Sequence, residues 1–284
     1  MPNDQVTGGN EPYEMPVNAP ATEIQGDQIH PIPEKKKRNG KWILIFVLIF
    51  ALLLGLNETV FKVKNIQVML EFDTAQAAGD RQRSAGEVLE AAGITSYPNY
   101  FLINKNKIAR NINNDRYLKY VSLEKVFPNK IILTVKQRQN RAYLVVMGTT
   151  YIMDEEGMLL EKTDGKLPEV DLLTITGIMP KNRIVGKILV PEKQEQLEAY
   201  ALVTGTMSSL GILNDYAELN LADADDIYLV TKDGYTVHIG STEEIRPKLK
   251  TVMYVLGALR SEGKKGGILE AKKVGEVIYT PDGL

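Results

Sequence analysis

The chain has no cysteine, two histidines and one tryptophan among its 284 residues. Without cysteine there are no disulfides, no thiolate metal sites and no cysteine nucleophile. Imidazole chemistry has little to work with. Beyond the N-terminal region only His238 remains, in Tyr235-Thr-Val-His-Ile-Gly240, and no Gly-x-Ser-x-Gly elbow accompanies it. An excess of either charge is also missing: 34 basic and 36 acidic residues leave a net charge of -2. Nucleic-acid binding needs a concentrated basic surface, which so even a balance does not supply. The acids Asp154, Glu155 and Glu156, and Asp223, Asp225 and Asp226, follow no EF-hand spacing and read as solvated turns rather than a calcium site or a glycosidase pair. Gly263-Lys-Lys-Gly-Gly267 is too short for a phosphate-binding loop and follows a helix, so it reads as a linker. The expected catalytic, metal and cofactor sites are therefore none.

One long apolar run is present. Trp42 to Leu56 carries no charge, and from Trp42 to Phe61 only Glu58 is charged. As a helix these residues rise roughly 30 Å, about the hydrocarbon thickness of a bilayer. A cleaved signal peptide fits less well, because some forty residues precede the run and Leu54-Gly-Leu-Asn-Glu58 has no small-x-small cleavage pattern. Lys35, Lys36, Lys37, Arg38 and Lys41 crowd its N-terminal side, which places the N-terminus in the cytoplasm and exports everything after about residue 60. Residues 1–34 hold six prolines and few apolar residues and read as a disordered tail. The expected organisation is a tail with its basic cluster (1–41), a transmembrane helix (42–60), a first outer domain (61–138) and a second (139–284).

From Phe61 the pattern changes to period two, Phe61 and Val63 and then, after a slip, Ile66, Val68 and Leu70, a strand expected to begin almost at the membrane surface. Glu71 to Arg83 reads as a loop. Ser84-Ala-Gly-Glu87 has capping-box spacing and Gly93 stops the helix that follows, while Asn104 caps a second helix with Ile108 and Ile112 on one side. Val121–Val126 and Lys130–Lys136 form a hairpin through Phe127-Pro-Asn129. The order is strand, helix, helix, strand, strand. Further strands are expected at 142–147, 150–153 and 158–161, then an irregular stretch from Leu167 to about Pro191. A helix from Gln194 to Leu210 precedes two strands around Asp233-Gly234. Ser241-Thr-Glu-Glu244 reads as the cap of a last helix, and Ile268–Lys273 and Glu276–Thr280 as closing strands.

These motifs in this order resemble the FtsQ/DivIB family of bacterial division proteins, whose first outer domain is a POTRA module. The likeness rests on Phe61-Lys-Val-Lys-Asn-Ile-Gln-Val68 directly after the anchor, Asn99-Tyr-Phe-Leu-Ile103, and Val126-Phe-Pro-Asn-Lys-Ile-Ile-Leu-Thr-Val135. In the second domain it rests on Ile152-Met-Asp-Glu-Glu-Gly157, Tyr228-Leu-Val-Thr-Lys-Asp-Gly234, His238-Ile-Gly240 and Lys248-Leu249. Where the family tends to have Glu-Arg-x-Pro, this chain has Gln137-Arg-Gln-Asn140, a junction without the stiffness of proline. The resemblance implies an α+β fold: one transmembrane helix, a POTRA-like βααββ domain and a strand-rich β domain with two helices. It further implies a non-catalytic, single-pass scaffold at the septum that recruits DivIC/FtsB-like and FtsL-like proteins and takes no cofactor or small-molecule substrate, while the basic cluster from Lys35 to Lys41 brings contact with anionic lipid headgroups. By analogy a partner segment adds a strand to the last strand, which places the contact on Lys272, Val274, Gly275, Val277 and Tyr279, with Val277 and Tyr279 reading equally well as inward-facing core. Two rival readings are a POTRA chaperone for exported polypeptides, which would be expected to carry several repeats or a barrel, and a membrane-anchored wall hydrolase, which would need a catalytic set.

Overall fold

The computed structural model describes residues 40–72, 82–94, 97–168 and 171–282. The expected tail with Lys35, Lys36, Lys37 and Arg38, and most of the loop expected before Ser84, lie outside the described residues. Helix α1 (Gly40–Thr59) carries the apolar run, and Lys41 sits in its first turn. Its side chains from Gly40 to Gly55 are exposed, but those residues rise only about 24 Å. Among the described residues no helix is long and apolar enough to cross a membrane.

The next elements are β1 (Asn65–Glu71), α2 (Ala85–Ala92), a 3-10 turn at Tyr100–Leu102, α3 (Lys105–Asn114), β2 (Leu118–Val126) and β3 (Lys130–Gln137). They form a three-stranded sheet in the order β1-β3-β2. Strand β1 runs parallel to β3, so the chain must cross over between them, and α2 and α3 lie on that crossover. The capping box forms as the spacing implies: Ser84 accepts from the Glu87 amide and Glu87 reaches back to the Ser84 amide at 2.8 Å. Asn104 caps α3 and buries Ile108 and Ile112 beneath it. Strand β1 starts at Asn65 rather than Phe61 because the intervening backbone is engaged elsewhere. Val63 N–H donates to Pro98, Lys64 N–H donates to Asn129, and the Phe61 carbonyl accepts from Tyr100.

The remaining strands are β4 (Ala142–Val146), β5 (Thr149–Met153), β6 (Leu159–Asp164), β7 (Leu173–Thr176), β8 (Tyr216–Asn220), β9 (Ile227–Thr231), β10 (Tyr235–Gly240), β11 (Gly267–Lys273) and β12 (Glu276–Thr280). They make one nine-stranded sheet in the order β12-β11-β10-β9-β8-β7-β4-β5-β6. Helix α4 (Gln194–Leu210) joins the parallel pair β7 and β8, and α5 (Ile245–Ser261) joins the parallel pair β10 and β11. Tyr200, Val203 and Met207 of α4 and Leu249, Val252 and Leu256 of α5 share one core with alternate residues of the strands. This is the POTRA-plus-strand-rich, α+β arrangement that the sequence implies.

Several expectations change. The stretch from Leu167 to Pro191 is not wholly irregular: Leu173–Thr176 is the inner strand β7, too short for its alternation to stand out. Strand β8, five residues long, is likewise not marked by the sequence pattern. Ser241-Thr-Glu-Glu244 does not cap α5, because Glu244 takes a left-handed conformation (φ 49°) and makes no side-chain cap. Instead the buried Lys248 ammonium donates to the carbonyls of Ile239 and Ser241, both at 3.1 Å, and ties the start of α5 to the end of β10.

Nor is Asp154-Glu-Glu156 a solvated turn. Asp154 is buried and ion-paired with Arg138, which also reaches Glu156 at 2.9 Å. Lys119 pairs with Glu156, and Lys136 with Glu155. Burial pushes the Asp154 carboxyl up, against the pull of Arg138. Glu156 meets some of the same burial, but hydrogen bonds from Lys119 and Arg138 outweigh it and hold its carboxyl below the usual range. The two sheets meet here, and the proline-free junction is held by charge.

Candidate partner-binding edge

Strand β12 ends the nine-stranded sheet. It pairs antiparallel with β11 through Ile268–Thr280, Leu269–Tyr279, Glu270–Ile278 and Lys273–Glu276. Among the described residues no strand pairs with its other side. Five residues in extended form present about 17 Å of backbone there, and unpaired edge groups are a template for another strand.

The hairpin geometry follows from its residues. Lys273 and Glu276 face each other across a two-residue turn of Val274 and Gly275, and Gly275 has φ 76°, which a side chain tolerates poorly. Period-two alternation then splits the strand. Val277 and Tyr279 turn inward and pack, partly buried, on the main core. The Tyr279 ring lies 6.3 Å from the Tyr235 ring, and its hydroxyl donates to the Gly266 carbonyl at 3.1 Å. Glu276, Ile278 and Thr280 turn outward.

Of the five residues singled out in the sequence, Lys272, Val274 and Gly275 are therefore at the surface, while Val277 and Tyr279 anchor the strand from within. The Lys272 ammonium lies 2.8 Å from Asp226 and 3.9 Å from Glu270, exposed pairs that water screens, and the hydrogen bond to Asp226 raises its pKa. Ile278, 57% exposed, and Ile268, 41% exposed, are the outward apolar residues on the edge hairpin that the sequence reading passed over. The alternation of Glu276-Val-Ile-Tyr-Thr280 contained that signal, but it does not say which face is out. His238 lies on the outward face of β10, opposite Tyr228 of β9 and Glu270 of β11, with its ring stacked on Tyr228 at 5.4 Å. Asp223 and Asp225 do form the exposed turn that the sequence suggests.

Comparison with known proteins defines the class. The pattern of the POTRA domain, FtsQ-type, matches residues 77–138, and that of the cell division protein FtsQ/DivIB C-terminal domain matches residues 142–272. The two together account for more than half of the chain, and the chain belongs to the FtsQ/DivIB family. It is 23% identical over 270 residues to "Cell division protein DivIB" of Clostridium botulinum (strain Loch Maree / Type A3), covering 90% of this chain and 96% of that one. It is 27% identical over 206 residues to DivIB of Clostridium acetobutylicum, covering 71% of this chain and 79% of the relative. A solved extracytoplasmic domain of DivIB from Geobacillus stearothermophilus is 20% identical with a TM-score of 0.25, covering 37% of this chain and 79% of the other. That superposition is too loose for residues to be compared. The C-terminal pattern stops at Lys272, so Val274, Gly275, Val277 and Tyr279 stand just beyond it.

Proposed function

We propose that this cell-division protein is a non-catalytic, single-pass scaffold. Residues 42–60 anchor it in the plasma membrane, with the tail and the basic residues Lys35, Lys36, Lys37, Arg38 and Lys41 on the cytoplasmic side. Its POTRA-like domain (61–138) and its distal domain (139–284) stand outside the cell at the septum. There they bind DivIC/FtsB-like and FtsL-like proteins, and so recruit and regulate septal peptidoglycan synthesis. The apolar α1 and the cytoplasmic-side lysines support the anchor, and membership of the family supports the division role.

The observation that carries the binding reading is the free edge of β12, seated on the core by Val277 and Tyr279. A partner strand laid there gains backbone hydrogen bonds, and Ile278, Val274 and Ile268 supply apolar contacts beside it. Lys272, Val274, Gly275, Val277 and Tyr279 are the proposed contact and supporting residues.

The test is binding of the full-length chain, in detergent, to the extracytoplasmic segment of a DivIC-like protein from the same genome. Ile278→Lys changes an exposed side chain, so it is expected to weaken binding by about tenfold or more with an unchanged melting temperature. Gly275→Pro breaks the turn and is expected to abolish binding, whereas Tyr254→Lys, on the exposed side of α5, leaves it intact. Wild-type affinity in both hairpin variants would move the interface elsewhere.

A further inference from the structure

The three-stranded sheet has two unlike ends. At one end, where β3 finishes at Gln137 and β2 starts at Leu118, it meets the ion-paired junction. The other end is built from three segments that converge on the chain's exit from α1: residues 61–64, the turn around Tyr100, and the β2–β3 connection at 126–130. Backbone hydrogen bonds join them, from Val63 to Pro98, from Tyr100 to Phe61 and from Lys64 to Asn129.

Four aromatic rings gather at this end. Phe61 lies 5.0 Å from Phe101 and 5.9 Å from Phe127, and Tyr100 lies 5.4 Å from Phe101 and 6.0 Å from Phe127. Tyr100 packs, partly buried, against the core of the three-stranded sheet, but the patch beyond it is open to water. Phe101 is 61% exposed, Phe127 67%, and the neighbouring Leu102 81%. A contiguous apolar patch on a water-facing surface marks an interaction site.

The segments that build it carry charge of one sign, with Glu58 and Glu124 just outside them. Segments 61–64, 97–107 and 125–130 contain Lys62 and Lys64, Lys105 and Lys107, and Lys125 and Lys130, and no carboxylate. The rest of the chain carries 28 basic against 36 acidic residues, so this end differs in sign from what surrounds it. The Lys125 ammonium is held by the carbonyls of Tyr100 at 3.1 Å and Ile103 at 2.8 Å, which fixes a positive charge beside the rings.

Chain connectivity says what surface meets this end. Leu56 is the last residue of the apolar run, α1 ends at Thr59, and Phe61 follows two residues later. Helical rise and extended reach together allow no more than about 12 Å between Leu56 and Phe61. Aromatic rings with a lysine surround, that close to an apolar helix, have the composition of a membrane interface.

We infer that the Phe61–Phe101–Phe127 end of the POTRA-like domain, with Leu102 at its tip, is a lipid-docking surface that seats in the headgroup region of the membrane from which the chain emerges. The lysines around it meet anionic headgroups. Seating would fix the direction in which the sheet carries the junction, and with it β12, away from the bilayer. The inference rests on the membrane-anchor reading proposed above.

The absence of cysteine makes the test direct. Single cysteines at Leu102, at Leu53 in α1 and at Tyr254 on α5 carry an environment-sensitive fluorophore in the full-length chain. The labelled protein is reconstituted in phosphatidylcholine and phosphatidylglycerol vesicles without nitroxide, with lipids nitroxide-labelled at the headgroup to read Leu102 and Tyr254, or with lipids labelled at mid-chain to read Leu53. Nitroxide is expected to quench the Leu102 label about twofold or more and to spare the Tyr254 label. Phe101→Ser with Phe127→Ser should reduce quenching at Leu102 and leave Leu53 unchanged. Quenching at Leu53 but not at Leu102 would overturn the docking surface and leave the anchor standing. No quenching at Leu53 would overturn the anchor, and the docking surface with it. Equal quenching at Leu102 and Tyr254 would mean general adsorption and would also overturn the proposal.

Discussion

Replacing Arg138 by methionine is expected to lower unfolding stability by about 3 kcal/mol, because it leaves the Asp154 carboxylate buried without its cation. For a two-domain part of this size that corresponds to a fall in melting temperature of roughly 6–12 °C. The loss is one of pairing rather than packing, since methionine retains much of the apolar stem. Arg138→Met combined with Asp154→Asn is therefore expected to recover a large part of it. Asparagine keeps an oxygen that can accept from the Glu156 and Met158 amides, which Asp154 now binds at 2.9 and 2.8 Å. Lys119→Met makes the contrast. Its ion pair with Glu156 has side chains 39% and 35% exposed, so screening by water leaves it worth under about 1 kcal/mol. Chemical denaturation of the four proteins measures the set. Equal small losses for Arg138→Met and Lys119→Met would mean that the junction is not held by a buried charge.

Gly177→Ala is expected to cost more than 3 kcal/mol and to reduce the yield of folded protein. Gly177 follows β7 at the point where the chain presses on the end of β8. A Cβ there would sit 2.2 Å from the Ala222 nitrogen and 2.6 Å from its Cα, both backbone atoms, and φ is 80°. Relief is blocked because Leu221 N–H donates to Thr176 at 3.0 Å, and the buried Gln196 amide donates to the carbonyls of Gly177 and Leu221. Gly148→Ala separates the two causes. It has the same φ of 80° but open space around the added atom, so only the backbone cost of about 1–2 kcal/mol applies. If the two variants melt together, the close approach of β7 and β8 is not real.

The capping box at Ser84, the α3 cap at Asn104, the hairpin through Phe127-Pro-Asn129 and the paired closing strands are local, and local patterns name them. Strand β7 is short and inner, so its neighbours on both sides come from distant parts of the chain. The cluster Asp154-Glu-Glu156 reads as solvated because its cations, Lys119 and Lys136 of the other sheet and Arg138 just past the end of β3, lie outside the turn itself. Ser241-Thr-Glu-Glu244 has the spacing of a cap, but the left-handed Glu244 sets no side chain against the free amides of the helix, and Lys248 only ties carbonyls at the end of β10 to it. At the edge strand, alternation was visible, but only the packed core decides that Val277 and Tyr279 face in and Ile278 faces out. The aromatic end of the POTRA-like sheet was the least visible, since Phe61, Tyr100, Phe101 and Phe127 come from three separate segments.

Hydrogen exchange tests the binding reading most directly. Backbone amides of residues 276–280 would be followed in the full-length chain, with and without a saturating amount of the DivIC-like extracytoplasmic segment. Strand addition predicts that exchange across β12 slows by about tenfold or more, while β6, at the opposite edge of the sheet, keeps its rate. Unchanged exchange in β12 together with new protection elsewhere on the chain would contradict it.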